Sequence, residues 1–180
     1  TLDAIKKKEK IGVFGDYDVD GATSTALLGK YFNELKLNYE IYIPDRKTEG
    51  YGPSIKAFKE LIGKGIKVIF TVDCGTLSFD AINYAKSKNI DVIVLDHHQS
   101  EINLPQAHSV VNPNRLDDKS NLQYLCAAGV AFMFLVSLNR QLRSINWFLT
   151  NSINEPNLIN FLDLVSLGTV CDVVPLVGLN

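Results

Sequence analysis

Short, mainly apolar runs alternate along the first half of the chain with longer stretches whose apolar residues recur every three or four positions. The runs IGVFG at 11–15, YEIYI at 39–43, KVIFTV at 67–72 and DVIVLD at 91–96 are each bounded by turn residues and predict strands. The intervening patterns predict helices over 23–35, 54–62 and 79–88. Strands this apolar, joined by helix-length segments, imply βαβ units: an α/β fold with a mainly parallel β-sheet flanked by helices. The second half changes character. A loop containing VVNPN at 110–114 leads to helices expected over 127–142 and 158–170, so the C-terminal part is helical.

In an open parallel sheet, ligands bind beyond the carboxyl ends of the strands. The acidic and histidine motifs that follow strands fall there: Asp16, Asp18 and Asp20 after the first, Asp73 after the third, and Asp96, His97 and His98 after the fourth. In DYDVDG the three aspartates stand at alternate positions. An extended backbone would put them on one face, where they repel unless cations neutralise them. Hard divalent ions such as Mg²⁺ or Mn²⁺ take oxygen ligands of this kind. An acidic surface turn is the plainer alternative. An EF-hand is a poor match, since the twelfth position counted from Asp16 is Leu27.

The other motifs have plain alternatives too. Asp73 in VDCG could cap the helix after Leu77, and Asp172 in CDVVP could be a turn residue before Pro175. Adjacent histidines on an extended segment should point oppositely, so that one binds metal while the other faces substrate. His108 stands alone and is assigned a structural role. Their convergence at one sheet edge, more than any single motif, argues for a site.

Composition narrows the picture. The 180 residues suit one domain; 46% are hydrophobic and 21% charged, the balance of a globular protein. The formal net charge of −2 gives no basic field for nucleic acid, although carboxylates gathered for metals count as negative until the metals arrive. Three scattered cysteines argue against a disulfide framework and for a reducing cytoplasm. Cys74 and Cys171 lie beside Asp73 and Asp172, yet without CxxC or HxxxH spacing they are expected to be buried packing residues rather than zinc ligands. TLDAIKKKEK has no signal-peptide pattern, and the apolar stretch at 127–138 is too short to cross a bilayer, so no membrane association is expected. GxGxxG and GxxxxGK[ST] stretches are absent. The first residue, Thr1, suggests a piece of a larger parent.

Taken in order, DYDVDG, VDCG, DHH and CDVVP resemble the four motifs of the DHH phosphoesterase superfamily. GDYDVDGATSTALL, YIPDR followed by EGYG, FTVDCG, VVNPN, CAAGVAF and LDLVSLGTVCDVVPL narrow the resemblance to its RecJ-type exonucleases over nearly the whole chain. Cys74 and Cys171 depart from that pattern, where Asn and Ala are expected. The resemblance implies a DHH catalytic domain over 1–180, a 5′-to-3′ single-stranded-DNA exonuclease releasing mononucleotides in DNA repair and recombination, and two Mn²⁺ or Mg²⁺ ions. By position it makes Asp18, Asp20, Asp73, His97 and Asp172 metal ligands, with Asp73 bridging and catalytic, and Asp16 the least firmly placed. His98 would lie at the scissile phosphate. It further implies DHHA1 and OB-type domains downstream in the parent, and single-strand-binding protein or a recombination helicase as the parent's partners.

Paired cations can activate water and steady the leaving oxygen of an in-line displacement, while a planar guanidinium such as that of Arg46 suits phosphate oxygens. Asn112 and Asn114 are weaker phosphate contacts. Two rivals stay open: a pyrophosphatase or small-nucleotide phosphodiesterase of the same superfamily, and a degenerate module that binds single strands without cutting them.

Overall fold

The computed structural model describes all residues, 1–180. Strands β1 (Ile11–Gly15), β2 (Tyr39–Tyr42), β3 (Val68–Val72), β4 (Asp91–Leu95) and β5 (Ser109–Val111) form one sheet. Its order is β2-β1-β3-β4-β5, and every neighbouring pair is parallel. This is the expected α/β architecture. β1 and β3 are buried along their whole length, as central parallel strands with helices on both faces must be.

Alternation along the strands divides the core. Val13, Val68, Phe70 and Val72 point to one face and pack with Leu27, Leu28, Tyr31 and Phe32 of α2 (Val19–Glu34) and Leu135 and Leu138 of α5 (Ala127–Ser144). Phe14, Ile69, Val92 and Val94 point to the other, against Phe58 and Leu61 of α3 (Ile55–Gly63) and Ile82 and Ala85 of α4 (Phe79–Ser87). On the α2 face, α7 (Leu162–Cys171) closes a three-helix layer with α2 and α5.

Several boundaries differ from expectation. α2 starts at Val19 rather than at residue 23, because Asp18 accepts a hydrogen bond from the Gly21 N–H at 2.9 Å and caps the helix four residues early. The VVNPN loop begins inside β5, whose three residues are too few to give a periodic signal. The helix expected over 158–170 is a 3₁₀ turn, Leu158–Phe161, followed by α7. Two five-residue helices, α1 (Leu2–Lys6) and α6 (Trp147–Asn151), are too short to have been visible as patterns. No helix is long and apolar enough to cross a membrane.

Candidate metal centre

The site grows from the carboxyl ends of β1, β3 and β4. Asp16 follows β1 directly and is 3% exposed. The first turn of α2 folds back against it so closely that a Cβ on Gly21 would lie 2.7 Å from Asp16 Cβ. Asp18 is the helix cap and Asp20 sits in the first helical turn. Asp16 and Asp18 therefore meet through a strand-to-helix turn, not through period-two alternation on an extended segment as the spacing alone suggested, and Asp20 falls in a separate donor group. Asp20 serves a second helix as well. Its Oδ2 accepts the Ala127 N–H at 2.6 Å and its Oδ1 the Ala128 N–H at 2.9 Å, capping α5, which has no side-chain cap of its own at Cys126.

Asp73 follows β3 with a left-handed backbone, φ +59°. Its N–H donates to the Leu95 carbonyl at 3.0 Å, and its side chain caps nothing, since α4 begins after Ser78. Burial raises the Asp73 carboxyl most, and the like charges of Asp20 and Asp18 add to it against the opposing pull of His97.

Asp96 organises the turn after β4. Its Oδ1 accepts from the His97 N–H at 2.8 Å, the His98 N–H at 3.2 Å and His98 Nδ1 at 2.7 Å, while Oδ2 accepts from the Thr76 N–H at 3.0 Å. Burial alone would raise this carboxyl, but the hydrogen bonds from His98 and Thr76 hold it at about 2. The same hydrogen bond lifts His98 to about 9. Because this turn ends the strand geometry, the two imidazoles do not diverge as expected: their centroids are 4.8 Å apart and both face the site.

His97 Nε2 lies 3.3 Å from Asp73 Oδ1 and 3.7 Å from both Asp20 Oδ2 and Asp172 Oδ2. Burial works against its charged form, and the carboxylates of Asp73, Asp172 and Asp20 outweigh burial to raise its pKa. Asn112 and Asn114 make contacts within the protein. Asn112 Nδ2 donates to Thr76 Oγ1 and to the His98 carbonyl, both at 2.8 Å, and Asn114 Nδ2 donates to the His97 carbonyl. They lock the histidine turn to β5.

Asp172 is the C-cap of α7, one turn beyond Gly168. A Cβ at Gly168 would stand 2.7 Å from both Ala128 Cβ and Thr23 Oγ1 and 2.8 Å from Asp20 Oδ1, so only glycine lets α7 approach closely enough to deliver Asp172. Cys171 is exposed, contrary to its assignment as a buried packing residue, because it falls on the open side of this last turn. Cys74 and Cys126 are buried, and their thiols are pushed up, first by burial. None of the three joins a ligand-like group.

Three sets of donor atoms gather within 4.8 Å: Asp16, Asp18 and Asp73; Asp20, His97 and Asp172; and Asp73, His97 and His98. Asp16 Oδ1 and Asp73 Oδ1 are buried without a hydrogen-bond partner. Buried polar atoms are rarely left so. An oxygen-rich set with imidazole nitrogen suits hard or borderline divalent cations, and the two open carboxylate oxygens fit such ions.

Arg46 is exposed at the rim, its guanidinium carbon 5.4 Å from the Tyr17 ring centroid, in a loop where Asp45 Oδ1 accepts from the Lys47 and Thr48 N–H groups, each at 2.9 Å. His108 pairs with Asp91 at 3.4 Å at the opposite end of β4. Sequence reasoning gave no role to Asp96, although it is the first residue of DHH. It also gave none to Tyr51, whose only signal was its place between two glycines.

The DHH family, N-terminal domain, matches residues 10–169. The single-stranded-DNA-specific exonuclease RecJ of Haemophilus influenzae is 39% identical over 176 residues, which is 97% of this chain and 30% of that protein. The RecJ of Escherichia coli is 41% identical over 174 residues, 96% of this chain and 30% of that one. A crystal structure of exonuclease RecJ bound to manganese matches with a TM-score of 0.82 at 32% identity, covering 98% of this chain and 42% of that one. The chain thus spans about 30% of the length of these curated relatives.

Proposed function

The chain belongs to the DHH family, and on that premise we propose that residues 1–180 are the catalytic domain of a RecJ-type single-stranded-DNA exonuclease that hydrolyses phosphodiesters with two Mn²⁺ or Mg²⁺ ions. The observation that carries this reading is Asp73. It is 1% exposed, its Oδ1 accepts no hydrogen bond and has only the His97 imidazole 3.3 Å away, and it belongs to two of the ligand-like groups. A buried carboxylate in that setting would suit bound divalent cations.

In this reading Asp16, Asp18 and Asp73 would hold one ion, and Asp20, His97 and Asp172, with Asp73 contributing, would hold the other. Such ions offset the charge of the phosphodiester and lower the pKa of water. The protein's own groups do the rest. Asp96 accepts from His98 Nδ1 and holds the imidazole in orientation, so that its Nε2 side could donate to the phosphate or to the leaving oxygen. Arg46, steadied over Tyr17, contacts a neighbouring phosphate. The 5′-to-3′ polarity, mononucleotide release and role in repair and recombination are carried over from RecJ proteins. So are the DHHA1 and OB-type domains in the parent, its protein partners and a cytoplasmic setting.

The test is hydrolysis of single-stranded DNA, a dinucleotide and pyrophosphate, each with Mn²⁺ and with EDTA. Metal-dependent shortening of single-stranded DNA from the 5′ end is expected. Preference for pyrophosphate, or strand binding without cleavage by the whole parent, would replace this reading by one of its rivals.

A further inference from the structure

The EGYG segment is not used by the mechanism above, yet its tyrosine reaches the middle of the site. Tyr51 is flanked by Gly50 and Gly52, both at φ +79°. A Cβ on Gly50 would meet nothing within 4 Å and one on Gly52 only Ser78 Oγ at 3.8 Å. Space does not require these glycines; the left-handed backbone does. The chain therefore turns sharply on both sides of Tyr51, and the result is a ring at the rim, 55% exposed, with its hydroxyl directed inward.

That hydroxyl donates to the main-chain carbonyl of Asp73 at 3.1 Å. It also lies 3.4 Å from each ring nitrogen of His98, and the two rings meet edge to face with centroids 5.8 Å apart. Asp73 is a non-glycine residue in left-handed backbone, a conformation that persists only where its surroundings fix it. The Leu95 carbonyl fixes its N–H, and Tyr51 fixes its C=O. For His98, Asp96 holds Nδ1 and the Tyr51 hydroxyl closes the ring edge between the nitrogens.

We infer that Tyr51 is a positioning residue, whose hydroxyl sets both the Asp73 backbone and the His98 imidazole in the geometry the reaction needs. The inference deepens the phosphodiesterase reading, and only its kinetic test rests on that reading.

The experiment compares Tyr51→Phe, which removes only the hydroxyl, with Tyr51→Leu, which also removes the ring. In EDTA, with no metal or substrate present, Tyr51→Phe is expected to shift the His98 imidazole NMR signals and the Asp73 amide signal while leaving the thermal melt unchanged. Mn²⁺ affinity should fall about tenfold, and kcat on single-stranded DNA by about 10–100-fold with KM within about twofold, the range seen when groups behind metal ligands are removed. Unmoved His98 and Asp73 signals in Tyr51→Phe would overturn the inference, whatever the chain hydrolyses. So would normal kinetics in Tyr51→Phe with a raised KM in Tyr51→Leu, which would make the ring a substrate contact. If the wild-type chain cuts no DNA, the NMR and Mn²⁺ arms still decide the role of Tyr51, and only the functional reading falls.

Discussion

The joint between α2, α5 and α7 and the turn after β3 each bury an aspartate almost completely, and the protein treats the two oppositely. Asp20, 2% exposed, has both oxygens occupied by the N–H groups of α5. Asp73, 1% exposed, has an oxygen that receives no hydrogen bond, and burial raises its carboxyl to about 7. The first charge is compensated by the fold and helps hold three helices together. The second is offset only in part, by the His97 and His98 imidazoles 3.3 and 3.9 Å from its Oδ1. Equal burial therefore conceals one aspartate that stabilises the metal-free protein and one that strains it.

The sharpest way to break this comparison is Asp73→Asn. Metal-dependent hydrolysis should fall by more than about 100-fold. At pH 8 without metal, the melting temperature should rise by about 2–4 °C, on the scale of about 1 kcal/mol, because an amide removes a buried charge that the neighbouring imidazoles offset only in part. Asp20→Asn should do the reverse to stability. It places an NH₂ against a buried N–H and should cost about 2–3 kcal/mol in urea unfolding, with or without metal. Shifts of the same sign in the two variants would end the distinction drawn here.

Gly168→Ala probes the joint itself. Its new methyl would press on Ala128, Thr23 and Asp20 and should cost about 1–3 kcal/mol. Mn²⁺ affinity should weaken with it, because Asp172 lies one turn further along α7; a thermal melt and a metal titration check the two effects.

Last and smallest per step is the pH dependence of the metal-free protein. Between 3.8 and about 7 the folded state keeps a proton on Asp73 that the unfolded chain has lost, so stability falls as pH rises through that window. His98, raised to about 9, contributes stability that is complete below 6.5 and is lost as pH rises through about 9. Both slopes have the same sign. Each is bounded at about 1.4 kcal/mol per pH unit, and that of His98 is smaller because its side chain is 47% exposed to screening solvent. Urea unfolding across pH 4–9 should show this decline in EDTA. Added Mn²⁺ should reverse it above pH 7, since bound cations favour the ionised carboxylate.

Much of this was legible in the sequence wherever the signal was local. Four of the five strands are apolar runs ended by turn residues, and a parallel sheet requires their C-terminal ends to share an edge. That placed Asp16, Asp73 and His97 together before any coordinates. What failed was geometry set by tertiary contacts. The pairing of Asp20 with Ala127 and Ala128 joins residues more than 100 positions apart. The two histidines face the same way because Asp96 bends the chain between them and the strand. Asn112 and Asn114 were weak candidates for phosphate contacts, and no sequence signal showed that their amides also bond Thr76 and the histidine carbonyls. Tyr51 was visible as a letter between two glycines, and nothing in its spacing says that its hydroxyl reaches Asp73.

The exposed position of Cys171 has a practical consequence. Cys74 and Cys126 are sealed in the interior, so a thiol-reactive nitroxide or fluorophore added to the native chain should attach at one place, one residue from Asp172. The molecule thus carries a built-in attachment point for a reporter at the edge of the proposed metal centre. Paramagnetic broadening of a nitroxide there by Mn²⁺, or a change in a dye's emission when a strand arrives, would follow the site in solution without altering any residue assigned to it.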